Sequence, residues 1–530
     1  MEPMAQPILH EFPWDGAMKK HAARPILLLS AIFLSLIAVR VPFYLTHHVQ
    51  EDAYITMRCA ENLAQTGVYG FNPGERMSAS TSHLHTFLEA IIHLVVGKEA
   101  FVVAVQVVNT LFFLCGVYFI ARLLMPGSRW SSALWVMISL LPVSLMISYS
   151  GMETSLLIFM LGWIMHFMRI PNRRFLAWIG LALIPWVRPD AVAFALILVF
   201  WYCVLEKKLL LAPIVALVTG IVALLCFNQL YFGILFNQSI TAKAFSQPPF
   251  SIVRFLGNLQ VIFAENVGGI FNPIRTKFFE GFGYLFLAFV TLGIGLYSWT
   301  KRSNRAALIL ALAIASMIYL VPSAYAVGGV IYPWYMWPST LLAYALLSTL
   351  VMDWIAAGHK GRGLLAAALI AGIIGMLAAQ WAYSYNWGMK EYAYRGGIGK
   401  YLASISELEQ TMFLEPAGYI PYYSSLYTYD EVGLASPVVL QYREDDPQGW
   451  WMDFVMEIRP DWLVQRGHIA LNRTYQDYEF TPEEQEWLNA HYSLVNSFTY
   501  QPETYTSSPL LLSLLDLGVA DDYYIYRLNP

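Results

Sequence analysis

Apolar runs recur along the chain at intervals that suit membrane-crossing helices, and polar connections separate them. A helix needs about 20 apolar residues to cross the hydrocarbon core of a bilayer, and fewer where two short helices pair. The pattern therefore predicts about eleven spans. They lie at 25–45, 101–123, 131–148, 154–168, 175–187, 191–205, 209–227, 281–299, 306–322, 336–352 and 364–384. The two short runs around Pro189 predict a helical hairpin with WVRPD at its tip.

Basic residues cluster at alternate connections, which is typical of cytoplasmic loops. The clusters are Lys19, Lys20 and Arg24; Arg122 and Arg129; Arg169, Arg173 and Arg174; Lys207 and Lys208; Lys301, Arg302 and Arg305; and Lys360 and Arg362. We therefore expect a cytoplasmic N-terminus (1–24), an uncleaved first span and a transmembrane domain (25–385). The outer face would carry a long first loop (46–100), a second outer loop (228–280) and a C-terminal extracytoplasmic domain (386–530).

Composition supports a membrane protein, since 57% of the 530 residues are hydrophobic, 13% are charged and the mean hydropathy is +0.50. The net charge of −4 argues neither for nor against nucleic-acid binding, and we expect no nucleic-acid partner. Three of the four cysteines lie in apolar runs, which argues against a disulfide framework. After about residue 386 charges become frequent and short apolar runs alternate with turn residues. The fold prediction is a mainly α polytopic membrane protein with a small C-terminal α/β domain.

The stretch HHVQEDAYITMRCAENL opens the first outer loop and contains two adjacent carboxylates, Glu51 and Asp52. A helix is predicted from this acidic first turn to Gly67, which suits a C-terminal stop. Acidic residues there complement the helix dipole, and this structural role is one interpretation. A turn-rich segment, VYGFNPGERMSASTS, and a second amphiphilic run, LHTFLEAIIHLVV, follow. Long ordered loops of this kind are usually functional.

These segments resemble the first outer loop of GT-C-fold glycosyltransferases, and most of all the mycobacterial-type terminal arabinofuranosyltransferases and their bacterial relatives. The resembling patches are EDAYITMRCAENL, FNPGERMSASTSHLHTFLEA, SGMET, RPD, YFGILFNQSITAKAF and EPAGYIPYYSSLYTYDEVGLASP. GGVIYPWYMWP is nearer to the wider superfamily. Glu51 replaces the first Asp of the pattern, and Gln238 stands where Pro or Asn is usual, so the sugar stays open.

The resemblance implies a bacterial inner-membrane enzyme that takes a sugar, with arabinofuranose as the first guess, from a polyprenyl-phosphate donor. The acceptor would be an extracytoplasmic glycan, lipid-linked glycan or protein. A first-loop carboxylate, Asp52 or Glu51, would be the general base. Residues predicted to bind the donor phosphate or sugar are Arg58, Lys243, Arg188, Asn237, Tyr54, Glu153 and Asp190. Sugar stacking is assigned to Tyr332, Trp334 and Tyr335. Membrane lipids are expected partners. No cofactor is expected, and a divalent metal is kept as the alternative.

Each of these residues also has a structural interpretation, which the sequence leaves open. Arg58 would pair with Glu61 or contact headgroups, Arg188 would close a salt bridge with Asp190, and Lys243 would snorkel to the interface. Glu153 would complement a helix dipole, and the aromatic run would form an interfacial belt. His47, His48, His83 and His85 lie near the carboxylates, but H-x-H spacing does not follow zinc-site patterns.

Two other classes of function remain as alternatives. A transporter or flippase of lipid-linked sugars would place its essential charges near the bilayer midplane and often shows inverted repeats. Here the candidate charges gather at one predicted surface and the sequence shows no repeat. A non-catalytic membrane scaffold would need only the C-terminal domain, and the first-loop carboxylates would be dispensable.

Overall fold

A computed structural model describes residues 23–128, 130–245, 251, 333–407, 409–467, 479–501 and 521–530. The predicted spans at 281–299 and 306–322 lie outside these ranges, as do Arg129, Lys301, Arg302, Arg305 and Tyr332. The helix that contains Lys243 is described, but its side chain is not.

Helices build the described part of the chain before residue 406. They are α1 (Ala23–Ala38), α2 (Val41–Tyr44), α3 (Glu51–Thr66), α4 (His83–Leu124), α5 (Ser131–Ser139), α6 (Pro142–Tyr149), α7 (Thr154–Met168), α8 (Arg174–Val187), α9 (Val192–Glu206), α10 (Leu211–Phe227), α11 (Gln238–Phe245), α12 (Pro333–Ala356), α13 (Arg362–Gly388) and α14 (Gly396–Ile405). Short 3-10 segments lie at Pro171–Arg173 and Pro189–Ala191, and π-helical segments at Asn228–Phe232 and Met389–Arg395.

Six helical stretches in the described residues are long and apolar enough to cross a membrane, or seven if the bent pair α5–α6 is one span. The pair bends by 70° where the sequence predicts one span at 131–148. Pro142 causes the break, because proline lacks the N–H that would continue the helix. The helices at 154–168 and 174–187 are shorter than a full span, and α8 and α9 meet at WVRPD as predicted.

Arg40 stabilises this break from the end of the first span. Its guanidinium is fully buried and donates to the carbonyl oxygen of Ser139, the last residue of α5, at 2.7 Å. It also donates to the hydroxyl of Ser148 in α6 at 2.9 Å and to its own helix at the Leu36 carbonyl at 2.8 Å. A carbonyl that the bend leaves without a helical partner is thus satisfied by a buried cation.

The first loop folds as the sequence predicts. Glu51 and Asp52 lie in the first turn of α3, and Gly67 ends the helix in the left-handed conformation at φ +73°. The amphiphilic run that follows forms the start of α4, and Gly97 interrupts that helix with φ +74° before the membrane-spanning part. Residues 46–100 therefore consist mainly of two helices joined by a turn-rich segment.

The C-terminal domain is a mixed five-stranded sheet with helices between its strands. Its strands are β1 (Thr411–Leu414), β2 (Tyr427–Asp430), β3 (Trp462–Gln465), β4 (Tyr492–Phe498) and β5 (Tyr523–Leu528), in the order β2-β1-β3-β5-β4. Its helices are α15 (Tyr419–Ser424), α16 (Pro437–Asp445), α17 (Trp450–Ile458) and α18 (Pro482–His491). The first three strands are parallel, and β5 runs antiparallel to both β3 and β4. This confirms the small α/β domain that the composition of the C-terminal segment predicts.

Glycines allow α4 and α7 to pack with their backbones in contact. A Cβ on Gly116 would lie 2.7 Å from main-chain atoms of Ile158, and one on Gly162 would lie 2.6 Å from the Gly116 carbonyl oxygen. Small residues at such crossings are typical of helix association in membranes, where close backbone approach replaces the hydrophobic effect.

We expect Gly116→Ala to destabilise the protein by about 1–3 kcal/mol, because the added methyl group must displace backbone rather than a flexible side chain. Thermal unfolding in detergent measures the effect. Gly372→Ala in α13 is the matched control, since a Cβ there meets nothing within 4 Å. Equal melting temperatures for the two variants would contradict the close crossing.

Candidate functional site

Glu51 joins the first loop to the C-terminal domain. Its Oε1 accepts hydrogen bonds from the main-chain N–H groups of Gly418 at 2.9 Å and Tyr419 at 3.0 Å. Gly418 has no room for a side chain, because a Cβ there would lie 2.3 Å from the same carboxylate oxygen. The α3 N-terminus therefore docks on the loop that follows β1.

Arg395 faces the other oxygen of this carboxylate from a π-helical segment. Its Nη1 lies 3.5 Å from Glu51 Oε2 and 2.7 Å from Glu391 Oε2. The π-helical turn places Glu391 and Arg395 together beside α3, and such turns are frequent at functional sites. Sequence reasoning missed both residues, because they sit where the last apolar run gives way to polar sequence.

The charges beside Glu51 belong to the carboxyl ends of the three parallel strands. Glu415 follows β1 and pairs with Arg466, which follows β3 and also contacts Asp521 at 3.0 Å. Glu431 follows β2 and accepts a hydrogen bond at 2.7 Å from Gln465, the last residue of β3. Ligands and polar side chains gather at this edge of parallel sheets. Here the edge is turned toward the first loop.

Burial dominates the electrostatics of this edge. It raises the pKa of the Glu51 carboxyl to about 8, with Arg395 opposing the shift and Glu391 adding to it. Burial also raises the pKa of Glu431 to about 7, although the Gln465 hydrogen bond opposes that shift. It raises the pKa of Glu415 against the pull of Arg466. Carboxyl groups at this edge, such as those of Glu51 and Glu431, are therefore protonated at pH values where exposed carboxyl groups are ionised.

Asp52 is partly exposed in the same helical turn as Glu51. The next turn of α3 carries Tyr54, which is buried among the rings of Tyr419, Tyr422 and Tyr423. The Tyr54 hydroxyl lies 3.3 Å from that of Tyr423. Glu51 and Tyr54 thus both face the C-terminal domain, as their spacing on the helix requires.

Arg58 fastens the same helix to the C-terminal domain. Its Nη1 donates to the Pro421 carbonyl at 2.6 Å, its Nη2 to the Leu426 carbonyl at 2.6 Å and its Nε to the Phe71 carbonyl at 2.8 Å. Two longer contacts reach Thr428 Oγ1 and Asn72 Oδ1. Five acceptors surround five N–H groups, an arrangement that a rigid guanidinium can satisfy and an ammonium cannot. It supports the structural interpretation of Arg58 over phosphate binding.

A second charged group unites the SGMET and RPD patches. The Arg188 guanidinium donates to both carboxylate oxygens of Asp190, at 2.9 and 2.7 Å, and to Glu153 Oε1 at 2.6 Å. Its carbon atom Cζ lies 5.3 Å from the ring centroid of Tyr335, while Trp334 is buried. Four predicted residues thus meet in one place. One cation between two carboxylates leaves little charge for a phosphate, so the group better suits sugar hydroxyls.

Asn237 belongs to a buried polar chain. Its amide nitrogen donates to the Ser80 carbonyl at 3.0 Å, and its oxygen accepts from Asn228 at 3.0 Å. Asn228 Oδ1 lies 2.8 Å from His83 Nε2, and His83 Nδ1 lies 2.9 Å from the Tyr69 hydroxyl. The chain ties the start of α11, and hence the backbone of Lys243, to the first loop.

Two histidines of the first loop pack against aromatic side chains. His47 stacks on Tyr392 with a centroid distance of 4.3 Å, and His48 is buried among Tyr149, Tyr383 and Trp387. Burial lowers the pKa of His48 to about 3, so that ring is neutral. Within the described ranges, no group of three or more His, Cys, Asp or Glu side chains is placed to hold a metal ion.

Comparison with known proteins bears on the fold. Residues 382–525 match a family described as a domain of unknown function (DUF8728). No protein with a curated description matches the chain.

Solved structures share the fold over almost the whole chain. ArnT from Cupriavidus metallidurans bound to undecaprenyl phosphate has a TM-score of 0.54 and 13% identity, covering 95% of this chain and 98% of its own. The Archaeoglobus fulgidus oligosaccharyltransferase in complex with zinc and sulfate has a TM-score of 0.51 and 12% identity, covering 94% and 88%. The oligosaccharyltransferase AglB of that organism, in complex with an inhibitory peptide and a dolichol-phosphate, has a TM-score of 0.50 and 10% identity, covering 97% and 89%. The mainly helical, multi-pass membrane fold with a small C-terminal sheet is therefore confirmed, and these solved proteins share it.

We expect Arg58→Lys to lower the free energy of unfolding by about 2–4 kcal/mol, because several buried carbonyl groups lose their donors. Thermal unfolding in detergent and proteolysis between the two domains measure the loss. Arg173→Lys, at an exposed position, is the control. A variant that melts like the wild type but no longer binds a polyprenyl-phosphate sugar would instead favour phosphate binding.

We expect the contribution of Glu51 to the stability of the protein to fall as the pH rises from about 4.5 to about 8. In that window the folded state keeps a proton on Glu51 that the unfolded chain has released, so this group makes unfolding easier as the pH rises. His48, whose pKa is lowered, acts in the opposite direction below pH 6.5. One proton gives a slope of at most about 1.4 kcal/mol per pH unit. Glu51→Gln should remove this contribution and make stability fall less with rising pH than in the wild type, while the contributions of Glu431 and Glu415, which have the same direction, remain.

Melting curves across the pH range test this slope. Glu483→Gln, an exposed substitution in α18, should leave the slope unchanged. An unchanged slope in Glu51→Gln would show that this carboxyl is ionised when docked.

Proposed function

We propose that the protein is a membrane glycosyltransferase that takes a sugar from a polyprenyl-phosphate donor and delivers it to an extracytoplasmic acceptor. The observation that carries the proposal is the likeness over 95% of the chain to a structure bound to undecaprenyl phosphate. The placement of an acidic first-loop helix between the membrane helices and the C-terminal domain supports it. The site would lie at the outer face of a bacterial inner membrane.

Asp52 is the general base in this proposal. Glu51 is held by two main-chain donors and faces Arg395, so it anchors α3 rather than meeting an acceptor. Asp52 lies in the same turn, is partly exposed and points to a different side of the helix. The acceptor hydroxyl would give its proton to Asp52 while its oxygen attacks the anomeric carbon. The bond from that carbon to the phosphate oxygen breaks, and polyprenyl phosphate leaves with the bonding electron pair.

The remaining candidate residues have separate roles in the proposal. Glu153 and Asp190, held in place by Arg188, would accept hydrogen bonds from sugar hydroxyls. Tyr335, which packs beside Arg188, would line the sugar, with Trp334 behind it. Lys243 would bind the donor phosphate and stabilise the charge that grows on it as the bond breaks. Asn237 would set the position of the helix that carries this lysine.

The sugar and acceptor follow from the sequence resemblance alone. Arabinofuranose is the first candidate for the sugar, and the acceptor is a glycan, a lipid-linked glycan or a protein. Paired carboxylates suit the hydroxyl groups of a sugar, and an aromatic ring beside them suits the apolar face of the sugar ring.

Purified protein in liposomes with radiolabelled decaprenyl-phosphate arabinose and a glycan acceptor tests the proposal. We expect Asp52→Asn to reduce transfer by about 100-fold or more, the range for loss of a general base, while donor binding survives. Glu51→Gln should keep measurable transfer, because Gln can still accept the two main-chain hydrogen bonds. Glu99→Gln, an exposed carboxylate on α4, is the matched control.

Two outcomes would contradict the assignment. Full transfer by Asp52→Asn would remove it as the base. Movement of the labelled lipid between leaflets without any transfer, in the wild type and in Asp52→Asn alike, would favour the flippase alternative.

A further inference from the structure

A buried acidic residue outside the predicted set lies behind Glu153. Glu89 is 1% exposed and lies one turn after His85, which is 2% exposed, on α4. His85 Nδ1 is 3.4 Å from Glu89 Oε1. Among the described residues, neither carboxyl oxygen of Glu89 receives a hydrogen bond from any other group. A buried carboxylate with no donor is unfavourable by several kcal/mol, so the environment of Glu89 needs explaining.

The neighbouring Asn109 fixes the protonation of His85. The Asn109 amide nitrogen donates to the Met152 carbonyl oxygen at 3.3 Å, which turns its oxygen toward the histidine. That oxygen lies 3.1 Å from His85 Nε2 and can only accept, so Nε2 carries a hydrogen. In a neutral ring Nδ1 is then an acceptor and faces an acceptor oxygen of Glu89. The contact is attractive only if a proton lies between them.

We propose that His85 and Glu89 share one proton and act as a net-neutral pair that keeps Glu153 paired with Arg188. The proton sits either on the carboxyl, which then donates to Nδ1, or on Nδ1 as part of an imidazolium–carboxylate pair. Both forms have the same net charge. His85 and Glu89 are thus positioning residues, and their effect on transfer rests on the function proposed above.

The charged and titratable groups around the pair explain why neutrality matters. Glu153, at the N-terminus of α7, interacts electrostatically with both His85 and Glu89. Glu89 also interacts electrostatically with Cys59 of α3, Tyr69 of the first loop and Tyr422 of α15. None of these brings a positive charge. An ionised Glu89 beside a neutral His85 would therefore repel Glu153, the carboxylate that pairs with Arg188.

Spectroscopy tests the shared proton without any assay of activity. Nitrogen-15 NMR of histidine-labelled protein, with His85→Gln to assign the signal, should show Nε2 protonated and Nδ1 either protonated as well or accepting a strong hydrogen bond. In the second case, infrared spectra should show a protonated carboxyl that disappears in Glu89→Gln. A neutral ring protonated at Nδ1 beside an ionised Glu89 would overturn the proposal. This result decides the matter even if the protein transfers no sugar.

Transfer assays of single and double variants test the positioning role. Glu89→Gln keeps a neutral side chain and should stay within about threefold of the wild type. His85→Gln removes the group that shares the proton with Glu89 and should lower transfer about tenfold, with a loss that grows as the pH rises and Glu89 ionises. The double variant His85→Gln with Glu89→Gln should recover most of that loss, because no charge remains to repel Glu153.

Recovery of this kind separates charge from packing. His93→Gln, two turns further along α4 and also buried, is the control and should show no pH-dependent loss. A double variant no better than His85→Gln, or a Glu89→Gln variant that loses transfer altogether, would overturn the positioning role.

Discussion

The contact of Glu51 with the loop after β1 is the constraint on which the arrangement of the site depends. It joins residues separated by 367 positions in the chain and brings the α3 N-terminus to the carboxyl edge of a parallel sheet. Arg58 makes a second attachment two turns later, through carbonyl oxygens of the same domain. A helix fixed at two points cannot rotate about its axis. The direction in which Asp52 points is therefore set by the C-terminal domain.

Buried cations act here mainly as structural fasteners. Arg40 bridges a bent helix pair, Arg58 binds the C-terminal domain and Arg188 joins the SGMET and RPD patches. The guanidinium of each arginine has hydrogen-bond partners. A buried ion needs them, because a buried charge without a partner is unfavourable. Arginine suits these positions because its planar fork reaches several acceptors at once. These contacts hold the first loop and the SGMET and RPD patches in one arrangement, which is typical of a preorganised site.

Local signals predicted the elements well, whereas partners distant in sequence were out of reach. The acidic first turn and Gly67 gave the bounds of α3, because capping is a matter of a few neighbouring residues. The run at 131–148 gave its length but not its bend, although Pro142 was the available signal. The sequence allowed a salt bridge between Arg188 and Asp190, which the structure has, but only the fold shows that Glu153 joins them. The sequence could not decide whether Glu51 or Asp52 is the general base, because the groups that bind Glu51 lie beyond residue 390.

The same contacts narrow the chemistry of the proposed reaction. The negative charge that grows on the leaving polyprenyl phosphate must be stabilised by a cation. That cation must be neither paired with carboxylates nor fully hydrogen-bonded to carbonyl oxygens. Arg58 and Arg188 do not meet that condition, because the first is surrounded by five acceptors and the second by three carboxylate oxygens. We therefore infer that the lysine of the YFGILFNQSITAKAF segment takes this part. The buried chain from Tyr69 to Asn237 would then matter for catalysis, because it is what holds that segment against the first loop.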